Sequence, residues 1–148
     1  MASTVTKTTF TSRIVESITI NGQQQQVHTL LSIPEVTDYG HRIMSIATSA
    51  TSILTLAAAD AGGAVDKARM QYVRLTNLDD TNDIRLTFTL TSNDTYEVVI
   101  GPKKTHMLTH KQSDVTTGGA EVTLEDIASI KGTASTAACD IEIFTVST

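Results

Sequence analysis

The sequence predicts an all-β protein: a single antiparallel β-sandwich or jelly-roll-like domain of about eight to ten strands with an extended N-terminal arm. Three observations carry this. The 148 residues include 26 Thr and 12 Ser, and an excess of β-branched and small hydroxyl side chains favours strands over helices. Apolar and polar residues alternate in short runs divided by turn-forming residues, the mark of strands with one buried face. No repeat of about 20–50 residues is present, which argues against a propeller or a solenoid. The length suits one domain.

Taken in order, residues 1–12 read as the arm. Thr4, Thr6 and Thr8 fall on one side of an extended chain and Val5 on the other, with Phe10 as the one large apolar anchor. That is too little apolar surface for a core, but enough to add as an edge strand to a neighbour. Val5 and Phe10 are therefore the candidate assembly residues, and 13–148 is the sandwich domain. Strands are expected at 13–20 and 26–33, joined through Asn21-Gly22, the favoured pair for a type I′ hairpin. The run Gln23, Gln24, Gln25, Gln26 extends that hairpin's rim. Further strands are expected at 42–47, 52–58 and 70–76.

The clearest strand is 84–90, where Ile84, Leu86, Phe88 and Leu90 share one face while Arg85, Thr87 and Thr89 share the other. Ser92-Asn93-Asp94 fits a short hairpin turn leading to a strand at 96–100, which Gly101-Pro102 ends. Strands at 105–110, 127–131 and 140–146 complete the set. Residues 61–64 and 117–120 read as glycine-containing loops, and 124–127 as one helical turn.

A net charge of −5 repels phosphate, so nucleic acid is not an expected partner. The single Cys139 excludes an intramolecular disulfide and a multi-cysteine zinc site. The N-terminal residues lack the apolar run of a secretory signal. The most apolar stretch, 53–59, stops at Asp60, well short of the roughly 18 residues that a membrane span needs. The chain is expected to be made in a cytoplasm and to stay off membranes.

The loop 77–83 concentrates Asp79, Asp80 and Asp83 with Asn77 and Asn82. Hard oxygen ligands on a sharp turn are what Ca²⁺ takes, which makes these three aspartates the candidate metal ligands. The loop lacks the EF-hand order, however, and Asn and Asp also cap turns by bonding their own backbone. His106 and His110, four apart in a strand, would stand about 13 Å from one another, too far to share a metal, and read as surface histidines. The sequence contains no Gly-x-Ser-x-Gly, no Gly-x-Gly-x-x-Gly and no phosphate-cradling loop. Cys139 shares a face with Ile141 and Ile143 and reads as a buried small hydrophobe. No catalytic residue and no cofactor is expected, and the chain does not read as an enzyme.

Tyr72-Val73-Arg74-Leu75-Thr76-Asn77-Leu78-Asp79-Asp80, then Gly101-Pro102-Lys103, then Leu124-Glu125-Asp126-Ile127-Ala128-Ser129-Ile130-Lys131, and finally Asp140-Ile141-Glu142-Ile143 resemble the pattern of small β-sandwich virion proteins of tailed bacteriophages. There an arginine-aliphatic-Thr-Asn strand leads to a polar loop, a paired strand, a Gly-Pro turn and closing strands. The likeness covers roughly residues 70–146 and transfers no catalytic residue. It implies a non-enzymatic virion structural protein, a capsid decoration or tail-associated subunit that binds itself and other virion proteins. Two alternatives stand beside it: a subunit of an extended tube or filament, and a carbohydrate-binding β-sandwich module. The chain has no Trp, and of its tyrosines only Tyr39 is expected in a loop, so a sugar-stacking platform is poorly supplied.

Overall fold

The computed structural model describes residues 5–58, 65–115 and 121–148. The expected loops at 61–64 and 117–120 lie outside the described residues, as do the first four residues of the arm. The strands in chain order are β1 (Thr8–Ile20), β2 (Gln23–Val36), β3 (Asp38–Ile46), β4 (Thr51–Ala57), β5 (Val65–Asp66), β6 (Met70–Asn77), β7 (Ile84–Leu90), β8 (Thr95–Ile100), β9 (Thr105–Leu108), β10 (Gln112–Ser113), β11 (Glu125–Ala134) and β12 (Cys139–Ser147). The fold is all-β, with 68% strand and 0% helix.

Two sheets make the sandwich. One runs β5-β4-β11-β7-β8, with β10 paired to the start of β11, and the other runs β3-β12-β6-β9. All pairs are antiparallel except the short β4–β5 ladder. β1 and β2 form a separate two-stranded sheet.

Period-two patterning explains the core. Ile84, Leu86, Phe88 and Leu90 all point inward from β7, while Ile141 and Ile143 on β12 and Val73 and Leu75 on β6 meet them from the opposite sheet. Cys139 lies buried in the same cluster. In β11 the alternation slips at a bulge between Ile127 and Ser129, so that Ile127 and Ile130, three apart, both reach the core. This corrects the helical turn expected at 124–127: Glu125 and Asp126 pair with Ser113 and Gln112, and the ladder takes up their backbone groups.

Turn chemistry closes the hairpins. Asn21 and Gly22 both have positive φ, 50° and 77°, as a type I′ turn requires. Asn93 adopts φ 77° at the end of the β7–β8 loop, where a three-residue hairpin places a left-handed residue. Gly132 lies mid-strand between β4 and β7, where an added Cβ would sit 2.8 Å from Ile53 Cδ1. The missing side chain gives Ile46 and Ile53 the space they fill.

Asn77, at the end of β6, is the sandwich's buried polar hub. Its Nδ2 donates to the carbonyls of Asn82 at 2.8 Å, Ile100 at 3.2 Å and Gly101 at 3.2 Å, while its Oδ1 accepts from Asp79 N at 3.0 Å. One amide thus ties the 77–83 loop to the turn after β8.

Candidate assembly surface

In an antiparallel pair, residues directly opposite one another project to the same side. On the β1–β2 ribbon the register puts Phe10, Ser12, Ile14, Glu16, Ile18 and Ile20 on one face, opposite Ile33, Leu31, Thr29, Val27, Gln25 and Gln23. Burial divides this face in two. Its base, with Phe10, Leu31 and Ile33 half-buried, covers Tyr72, Val146 and Phe144 on the outer surface of the β3-β12-β6-β9 sheet. The Phe10 ring lies 5.1 Å from Tyr72 and 5.7 Å from Phe144, centre to centre.

Beyond Ile14 every residue of β1 is exposed, as is all of β2 up to Leu30. Each strand has the other as its main neighbour. Ile18, Ile20 and Val27 remain 56%, 57% and 58% exposed, so the apolar stripe that anchors the ribbon continues past the body into the open. A groove of about 470 Å³ runs where the ribbon leaves the sheet, between β1 and Tyr72, Arg74, Met107 and Phe144.

The sheet carries a second exposed apolar strip on its edge strand, β3. Tyr39 is 71% and Ile43 59% exposed, with His41 between them on the same face. Tyr39 stacks on Phe144 at 6.4 Å, so this strip prolongs the aromatic platform beneath the ribbon's base. Tyr39 thus belongs to a strand, not to the loop expected for it. The carboxylate on this face is paired: Glu142 forms an ion pair with Arg74 at 2.8 Å and a hydrogen bond with His41 at 2.9 Å. The His41 hydrogen bond, followed by the Arg74 contacts, holds its carboxyl below the usual range.

Of the residues singled out in the sequence, Val5 is 62% exposed. Phe10 is bound within its own chain, and residues 8–12 belong to the ribbon, so β1 runs unbroken past the expected boundary at residue 13. Lys7, on the same segment, pairs with Glu35.

The three aspartates do not converge. Asp79 Oδ1 accepts from Thr81 N at 2.8 Å and Asn82 N at 2.6 Å, and these backbone bonds lower its pKa. Asp80 pairs with Lys103 at 2.6 Å. Asp83 donates its backbone N–H to Ser135 Oγ at 3.1 Å. Among the described residues no group of three or more His, Cys, Asp or Glu is placed to hold a metal ion.

His106 corrects the expectation of a surface histidine. It points between the sheets, edge-on to Phe88 at 5.7 Å, because β9 pairs with β6 in a register that sets it beside Leu75. Its Nε2 is buried without a hydrogen-bond partner, and burial lowers its pKa. A histidine with a lowered folded pKa is neutral in the fold, so the stability it permits is present above the unfolded value of about 6.5 and declines as pH falls through and below it. The urea midpoint of the wild type should therefore drop faster than that of His106→Leu between about pH 7 and pH 5. Parallel curves would show that His106 does not contribute to the acid loss.

No protein-family model, curated protein or solved structure matches the chain.

Proposed function

We propose that this chain is a non-enzymatic structural subunit of a virion, a capsid decoration or tail-associated component that associates with itself and with other virion proteins after synthesis in the host cytoplasm. The observation that carries the self-association is the β1–β2 ribbon, whose aliphatic stripe begins as an intramolecular seat and ends exposed. Uncovered isoleucines that continue a surface the chain itself packs are what a neighbouring molecule would cover. A lone two-stranded ribbon is also only marginally stable in water, so a neighbour that covers it stabilises both. The virion setting rests on the resemblance of residues 70–146.

Two measurements test the reading. Purified protein should form defined oligomers by mass photometry and negative-stain microscopy, discrete particles supporting the decoration subunit and long fibres the alternative tube. Mass spectrometry of phage particles whose genome encodes the chain should recover it in many copies per particle. A chain absent from such particles would overturn the virion assignment.

A further inference from the structure

Resting on that self-association, we infer that the exposed end of the ribbon is a donor surface and the outer face of β3 its acceptor: Ile18, Ile20 and Val27 of one subunit pack on Tyr39 and Ile43 of a second copy. The protein already contains the prototype of this contact. Phe10, Leu31 and Ile33, on the same ribbon face, pack on Tyr72, Phe144 and Val146, and Tyr39 extends that platform through its stacking on Phe144. Donor and acceptor are therefore continuations of two surfaces that already fit one another within the chain.

Charge permits a second copy and disfavours a nucleic acid. Residues 14–33 contain one carboxylate, Glu16, and no Lys or Arg, so the ribbon offers little to a nucleic acid backbone. It also brings little repulsion toward a subunit of the same −5 net charge. The acceptor face is equally muted, since Glu142 is paired to both His41 and Arg74. Lipid is disfavoured by the ribbon's tip: Asn21, Gly22 and four consecutive Gln would have to lose their water before the isoleucines reached hydrocarbon. The same glutamines suit a protein surface, because each amide both donates and accepts.

Area decides how the contact must be used. The free end spans five residue pairs, from Glu16↔Val27 to Ile20↔Gln23, about 17 Å long and about 10 Å wide. That falls well below the roughly 800 Å² per partner of a stable interface. One donor-acceptor contact is thus weak, and assembly becomes stable when each subunit gives one and receives one, in a reciprocal pair or a closed ring.

The experiment follows oligomer mass against concentration by light scattering for the full chain. Wild type should assemble. Ile18→Asp/Ile20→Asp and Ile43→Asp should each be monomeric with an unchanged β-rich circular dichroism spectrum, since all three positions are exposed. Thr19→Asp/Gln24→Asp, on the opposite ribbon face, should assemble as wild type does. Mixing Ile18→Asp/Ile20→Asp with Ile43→Lys should recover a heterodimer through the charge pair. Assembly that survives Ile18→Asp/Ile20→Asp, or that Thr19→Asp/Gln24→Asp abolishes equally, overturns this docking mode and leaves self-association standing. A wild type that stays monomeric at every concentration overturns both. A monomeric wild type that floats with phosphatidylcholine vesicles through Ile18 and Ile20 assigns the strip to lipid and likewise overturns it.

Discussion

Changing Asn77 to aspartate should lower stability by about 4 kcal/mol, since removing one partner of a buried hydrogen-bonded set leaves the rest uncompensated. For a domain of this size that is a fall in Tm of roughly 10 °C. Asn77 is fully buried, and its Nδ2 faces the carbonyl oxygens of Asn82, Ile100 and Gly101. A carboxylate in its place points an acceptor at three acceptors in a position closed to bulk solvent. Protonation restores one donor, so the folded state raises the new group's pKa, and the deficit relative to wild type should shrink as pH falls. Thermal melts at neutral and acidic pH check both parts. A Tm within about 2 °C of wild type at neutral pH would show that the three bonds do not stabilise the fold.

The strands of the sandwich were the legible part, because a buried face on one side and solvent on the other writes period two directly into the residues. Residues 84–90 and 140–146 follow that rule and lie in β7 and β12. Where the rule breaks, the cause is physical. The bulge at Ile127 and Ser129 shifts the phase of β11, and Tyr39, expected in a loop, lies in β3 beside Gly40. A Cβ there would lie 2.7 Å from Thr145 Oγ1, so β3 needs the glycine to sit against β12. β5 and β10, two residues each, are too short to show any period.

The candidate assembly surface was half legible. Phe10 stood out by size, but alternation is the same for a strand packed on a core and for one standing in water, so the pattern Ile14, Ile18, Ile20 could not say that its end is bare. The glutamine run hid the start of β2, since Gln carries little strand signal. For 77–83, composition showed oxygen ligands but not their use: Asp79 Oδ1 is already bonded to the N–H groups of Thr81 and Asn82. That is the capping alternative that such residues always offer.

Phe88→Ala should produce a loss of similar size, about 4 kcal/mol, from the transfer and cavity cost of deleting a buried ring. Phe88 is fully buried in the middle of β7, opposite Tyr96 on β8 and Ile130 on β11. It stacks on the Tyr96 ring at 4.7 Å with the planes 4° apart, and meets His106 edge-on. Ala would empty the space between three strands, and the flanking backbone ladders leave little freedom to close it. Phe88→Leu keeps most of the volume and should cost less than half as much, about 1.5 kcal/mol. Because the cavity opens beside the His106 ring, the alanine variant relieves part of that ring's burial, and the acid-side decline assigned to His106 should flatten with it. Urea titrations of wild type, Phe88→Leu and Phe88→Ala at neutral pH and near pH 5 measure both effects. Equal costs for leucine and alanine would show that the site collapses around the missing ring, and an unchanged acid slope in Phe88→Ala would show that the ring does not keep His106 dry.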